Sequence, residues 1–187
     1  MVKKAVVLFN LGGPDNIESV QPFLYNLFND PAIIDLPTFL RKPIAKIISK
    51  RRNKTAQEIY KLIGGKSPIL ENTMRQKEAI TNYLKKKGHE ILVFVSMRYW
   101  HPFSPDVIDQ LAEFEPEEVL LLPLYPQYSS ATTGSSFANW RKVCKEKNFQ
   151  AKTFSVCCYP VNDGWIEAQA YLLKSELEKC AKPEEAL

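Results

Sequence analysis

Residues Lys4 to Asp15 read KAVVLFNLGGPD. The run Lys4 to Leu11 is almost continuously apolar, the pattern of a strand covered on both faces, and Gly12-Gly13-Pro14-Asp15 breaks it sharply. Such a strand belongs in the middle of a parallel sheet, which requires helices between strands.

The rest of the chain supplies that alternation. Ser19 to Phe28 carries Val20, Phe23, Leu24, Leu27 and Phe28 at helical spacing. Helices are expected at Thr38 to Ser49, Lys54 to Leu62 and Ser67 to Lys87, the last closed by Gly88, with Asp30-Pro31 and Gly64-Gly65 as breakers. Glu90 to Met97 (EILVFVSM) reads as a second buried strand and Ser104 to Phe114 as a helix opened by a Ser-Pro pair. Val119 to Leu124 is the third strand and Gly134 to Lys147 a helix. Gln150 to Cys157 is a weaker fourth strand, Trp165 to Cys180 the last helix, and the tail after Cys180 frays. The expected fold is α/β, a Rossmann-like parallel four-stranded sheet with flanking helices, in one domain over 1–187 with a helical insertion at about 36–88.

At 187 residues and 45% hydrophobic content the chain can bury one real core. No apolar run approaches the ~20 residues that span a bilayer, and Met1-Val-Lys-Lys leads straight into a strand with no small-residue cleavage site. A soluble, unprocessed, cytoplasmic protein is expected. The four cysteines, Cys144, Cys157, Cys158 and Cys180, lack metal-ligand spacing and read as reduced core thiols. The net charge of +4 is local. Arg41, Lys42, Lys46, Lys50, Arg51, Arg52 and Lys54 meet no acid between Leu36 and Gln57, and the remaining residues are net acidic.

Three strand ends should lie side by side: Asn10 to Gly13, Met97 to His101, and Tyr125 to Ser129. That carboxyl edge is where open α/β sheets bind ligands. The third end runs into PQYSSATTGSSF (Pro126 to Phe137), whose seven hydroxyl residues and lack of charge suit a large, flat, weakly charged ligand. Gly12-Gly13 is no dinucleotide fingerprint, because the third glycine is missing and Pro14 occupies the turn that should cradle a pyrophosphate. Arg98-Tyr99-Trp100-His101-Pro102 offers a fixed cation and two aromatics that could face a ligand, or a structural Arg over packed rings. His101 has no second ligand nearby, so no metal site is expected.

Tyr60 follows Arg52 by about two helical turns, so the two can share a face, and Ser67 precedes Pro68 as a helix cap. Singly they read as a solvated charge, a half-buried phenol and a cap; together they make a clamp for carboxylates. The segment 36–54 adds Phe39, Leu40, Ile44, Ile47 and Ile48 to its basic residues, the composition of a helix lying on a membrane surface. A surface helix packing its apolar stripe on the sheet fits the same pattern. Nucleic acid is not expected, since no stacking aromatics alternate with these charges.

Four motifs in one order then carry a family resemblance: FNLGGP (Phe9 to Pro14), KRR followed by EIYKLIGGKSPI (Glu58 to Ile69), MRYWHPF (Met97 to Phe103) and YPQYSSATTGSSF (Tyr125 to Phe137). Over nearly its whole length the chain resembles the amino-terminal half of the ferrochelatases, lyases that insert ferrous iron into protoporphyrin IX late in haem biosynthesis. The resemblance implies two similar halves with the porphyrin between them. It places Arg52, Tyr60 and Ser67 at the porphyrin propionates and Leu11, Arg98, Tyr99 and Tyr128 on the cleft wall. The family's Ser-Ala-His-Ser-Leu-Pro motif and metal-site glutamate are not among these residues, so no catalytic residue is expected here and both should lie beyond Leu187. Animal members carry an iron-sulfur cluster with a cysteine just after the Tyr-Ser of the hydroxyl loop. Here that position is Ser130, and no cofactor is expected, with porphyrin and ferrous iron as the partners. A cobalt-type chelatase relative and a non-catalytic porphyrin carrier remain the alternatives.

Overall fold

The computed structural model describes residues 2–179. Four strands, β1 (Lys4–Asn10), β2 (Ile91–Met97), β3 (Glu118–Pro123) and β4 (Lys152–Ser155), form one parallel sheet in the order β2-β1-β3-β4. Val7 of β1 sits between Phe94 of β2 and Leu121 of β3. The opening stretch is therefore the central strand.

Period-two alternation in β1 divides the core. Ala5, Val7 and Phe9 join Val119 and Leu121 under α4 (Ser104–Phe114) and α5 (Ser135–Glu146), which contribute Val107, Ile108, Leu111, Trp140 and Val143. The ring of Phe9 meets Trp140 edge-on at 5.5 Å. Val6 and Leu8 face the other way, with Val93 and Val95, beneath Leu70, Ile80 and Leu84 of α3 (Ile69–Lys86). The crossovers on either side of β1 thus use opposite faces, which puts the topological switch point beside its carboxyl end.

Between α1 (Val20–Phe28) and α3 the expected pair of helices is one, α2 (Thr38–Leu62). The stretch 50–53 (KRRN) lacks apolar residues, which suggested a break, but it contains no glycine or proline and its Lys and Arg are good helix formers. Ala45 and Ser49, both buried, and the half-buried Ala56 and Tyr60 continue one stripe along it. Ser104 lies inside α4 rather than capping it; Phe103 takes the cap position, with its N–H donating to Asp106 Oδ2 at 3.2 Å. Ser67 likewise stands one residue before the cap Pro68, although its Oγ still accepts the Ile69 N–H at 3.3 Å.

The last strand is shorter than expected and exposed at every residue. Cys157 and Cys158 lie beyond it and are exposed free thiols, not core residues as anticipated, whereas the half-buried Cys144 packs against the core beneath α4 and α5. Cys180 and the tail after it lie outside the described residues. Helix α6 (Asp163–Leu177) buries none of its side chains. It leaves Ile166, Tyr171, Leu172 and Leu173 exposed, and Val161 and Phe154 are exposed as well. No helix among the described residues is long and apolar enough to cross a membrane.

Candidate functional site

The floor of the site is the carboxyl end of β1. Asn10 accepts the Arg98 N–H and Leu11 the Tyr99 N–H through their carbonyls, both at 2.9 Å, which extends the β1–β2 ladder into the loop. The Asn10 side chain is fixed by donating to Thr73 Oγ1 at 3.0 Å, and Thr73 is fully buried on α3. Leu11 then packs in a third apolar cluster with Val20, Phe23 and Leu24 of α1, Ala56 and Tyr60 of α2, and the rings of Tyr99 and Trp100.

The expected carboxylate clamp borders this cluster. Arg52 is exposed, its guanidinium carbon 5.6 Å from the centre of the Phe28 ring, an arrangement that steadies the cation without neutralising it. Tyr60 is half-buried, and burial raises its pKa, so it is a neutral donor at pH 7. Ser67 is held against the glycine turn, donating its N–H to the Pro14 carbonyl at 2.8 Å. That contact is why residue 13 is glycine: a Cβ there would lie 2.5 Å from both Cβ and Oγ of Ser67. Gly13→Ala should displace Ser67 and destabilise the fold by about 1 to 3 kcal/mol. Urea unfolding checks the second effect, and carboxylate-dependent ligand affinity the first.

The other side of the site centres on a residue that sequence reasoning passed over. Asp30, between α1 and α2, is buried, and its Oδ2 accepts from Arg98 Nη2 at 2.6 Å and Tyr99 OH at 2.9 Å. The Ser135 hydroxyl also donates to Oδ2, while accepting from Arg98 Nε at 2.6 Å. Asp30 Oδ1 accepts the Ala32 N–H at 2.8 Å. Burial pushes the Asp30 carboxyl up, but the hydrogen bonds from Ser135 and Ala32, the Arg98 charge and the Tyr99 hydroxyl outweigh it, leaving the pKa below the ordinary value. Arg98 is thus already paired inside the protein, and Tyr99 is fully buried. Arg98 Nε and Nη2 and the Tyr99 hydroxyl are engaged within the protein, while Arg98 also lines the adjoining cavity.

The hydroxyl loop closes the wall. Ser129 caps a π-helical turn (Ser130–Gly134), its Oγ accepting the Ala131 N–H at 3.2 Å and its carbonyl the Gly134 N–H at 3.0 Å. Tyr128 stands 56% exposed, so its ring is available to a ligand. A Cβ on Gly134 would come within 3.0 Å of its hydroxyl. Tyr128, Ser130, Arg98 and Ser135 line a cavity of about 650 Å³ together with Arg41 and Lys42. The predicted residues therefore fall in two groups: Leu11 and Tyr60 in the apolar cluster, with Arg52 beside its Phe28 and Ser67 at the glycine turn, and Arg98 and Tyr128 on the cavity. Tyr99 joins them, with its ring in the apolar cluster and its hydroxyl on Asp30.

Burial raises four phenols in and around the site: Tyr60, Tyr99 (to about 12), Tyr125 and Tyr159. A phenol whose folded pKa lies above the unfolded value of ~10 adds stability that is fully present below that pH and is lost as pH rises through the folded pKa. Unfolding midpoints in urea should therefore hold between pH 7 and 9 and fall steeply above about pH 10. Tyr99→Phe should flatten part of that fall.

No cluster of three or more His, Cys, Asp or Glu side chains able to hold a metal exists among the described residues. His89 and His101 are both exposed, and His101 Nδ1 lies 3.9 Å from Asp106.

Comparison with known proteins follows the same outline. The chain is 55% identical over 169 residues to the ferrochelatase of Pelagibacter ubique (strain HTCC1062), covering 89% of this chain and 49% of that protein. It is 48% identical over 184 residues to the ferrochelatase of Phenylobacterium zucineum (strain HLK1), covering 97% and 53%. With that of Rickettsia bellii (strain OSU 85-389) it shares 51% over 174 residues, covering 92% and 48%. The chain spans about half the length of the curated relatives it matches. A family model described as Ferrochelatase matches residues 3–187, nearly the entire sequence, and the chain belongs to the ferrochelatase family.

Proposed function

We propose that this chain is the porphyrin-holding half of a ferrochelatase, which inserts ferrous iron into protoporphyrin IX in haem biosynthesis. What supports the reading is a ferrochelatase-family sheet with an apolar cluster around Leu11 and Tyr60, Arg52 beside Phe28 of that cluster, Ser67 at the glycine turn, and a cavity lined by Tyr128 and Ser130. A flat apolar macrocycle with two carboxylates needs such a surface: aromatic and aliphatic contact for the ring, and cation and hydroxyl donors at one rim. Arg52, Tyr60 and Ser67 take the propionates. Leu11 and Tyr128 touch the ring, with Arg98 and Tyr99 supporting the wall.

The base and carboxylate that strip two N–H protons from the macrocycle belong to the other half of the relatives' length. The exposed apolar residues of α6 and β4 offer that half a surface to pack on. Ferrous iron enters as substrate. No iron-sulfur cluster is assigned, since the hydroxyl loop carries Ser130 where a cysteine ligand would stand. The protein acts in the cytoplasm and touches anionic membrane through 36–54, where Phe39, Leu40 and Ile47 are exposed beside Lys42, Lys46 and Lys50.

Titrating the chain with protoporphyrin while following the absorbance of the macrocycle tests the reading: one saturable site is expected, and a dinucleotide should not compete. Absence of saturable binding would overturn it. Vesicles containing anionic lipid should co-sediment the chain in a salt-sensitive way; no salt-sensitive binding would end the membrane role.

A further inference from the structure

We infer that Asp30 is the positioning residue of the porphyrin wall, its one buried carboxylate locking the loop after β2 and the head of α5 to the α1–α2 connection. The inference rests on the porphyrin reading above for its purpose, and on geometry alone for its existence. A carboxylate offers about four lone-pair directions. Asp30 spends them on Arg98, Tyr99, Ser135 and the Ala32 N–H, so three side chains remote in sequence meet at a single oxygen atom. Ser135 serves twice, donating to Asp30 while accepting from Arg98 Nε.

The Asp30 side chain is only 2% exposed and Arg98 17%, so the pair is withdrawn from solvent. Breaking a buried pair by removing one member leaves the other charge without compensation. The network also adjoins the loop that carries the ligand-facing residues. Ser135 follows the π-helical turn directly, and Tyr128 and Ser130 lie just before and within it. Holding Ser135 therefore holds that turn, and with it the side of the cavity where the ring would lie.

Two variants of the 187-residue chain test this, Asp30→Asn, which keeps shape but removes the charge, and the milder Ser135→Ala. Hydrogen exchange of amides 131–134 should accelerate about tenfold in Asp30→Asn and less in Ser135→Ala, while the β1 amides stay at wild-type rates. The Arg98 Nε–H, donated to Ser135 Oγ, should exchange slowly in the wild type and fast in both variants, directly in Ser135→Ala and through the released Ser135 hydroxyl in Asp30→Asn, a signature that general loss of stability does not produce while the unfolding midpoint is held. Protoporphyrin affinity should fall alongside loop protection in both variants. Wild-type loop exchange in Ser135→Ala would overturn the lock, and that variant decides the matter if Asp30→Asn does not fold. Loosened loops with unchanged porphyrin affinity would overturn the positioning role. If the wild-type chain takes up no porphyrin at all, the functional reading fails, and the exchange and resonance data still decide whether the lock exists.

Discussion

Given ferrous iron and protoporphyrin, the 187-residue chain alone should insert metal at no more than about one-hundredth of the rate of the full-length Pelagibacter ubique relative assayed beside it. General acid-base assistance contributes about 10² to 10⁴ to such a proton transfer, and among the described residues of this chain neither histidine is placed to give it. His89 and His101 are its two histidines. His89 precedes β2, at the amino end of the sheet, whereas the site lies at the carboxyl end about seven residues, or roughly 23 Å, further along the strand. His101 is at the correct edge but exposed, packed edge-on against Phe103 at 4.5 Å and Trp100 at 5.4 Å, with Asp106 as its polar neighbour. Turnover close to that of the full-length relative would move the chemistry into this half and make His101→Ala the next variant to measure.

Changing Arg52 and Tyr60 together to Ala should weaken protoporphyrin binding by about tenfold to a hundredfold. A charge-assisted hydrogen bond is worth about 1.5 to 3 kcal/mol, and each 1.4 kcal/mol is a factor of ten. Tyr60 contributes a neutral hydroxyl and the edge of the apolar cluster around Leu11. Arg52 contributes the charge, and because it is exposed, its share should shrink as salt rises from 0.05 to 0.5 M, where the screening length falls well below about 10 Å. Lys50→Ala, on the same helix, serves as the comparison for a non-specific positive charge and should change affinity little. Unchanged affinity in the double variant would remove the clamp.

Much of this was legible in the sequence because the signals were local. Buried parallel strands announce themselves as apolar runs, and Lys4 to Leu11 and Glu90 to Met97 each read correctly to within a residue or so. Arg52 falls between the two expected helices, and their merging into α2 puts it on the same helix as Tyr60. What escaped notice depended on distance. Asp30 sits beside Pro31 between two helices, where an acid and a proline mark a loop end, and nothing nearby reveals that its partners are Arg98, Tyr99 and Ser135. The sequence leaves both a ligand-facing and a structural reading of Arg98 and Tyr99 open for the same reason: their loop can be placed at the sheet edge, but their bonds to Asp30 cannot be seen from it. Cys157 and Cys158 were misplaced because β4 stops at Ser155, and an adjacent cysteine pair carries no signal that the strand has ended.

The most direct measurement compares the chain's affinity for protoporphyrin with that for its dimethyl ester, a macrocycle of the same shape without carboxylates. Both should bind the apolar floor and hydroxyl wall, with the free acid tighter by about tenfold or more, and that difference should disappear in the Arg52→Ala, Tyr60→Ala double variant. Equal affinity for acid and ester in the wild-type chain, or no saturable binding of either, would contradict the account.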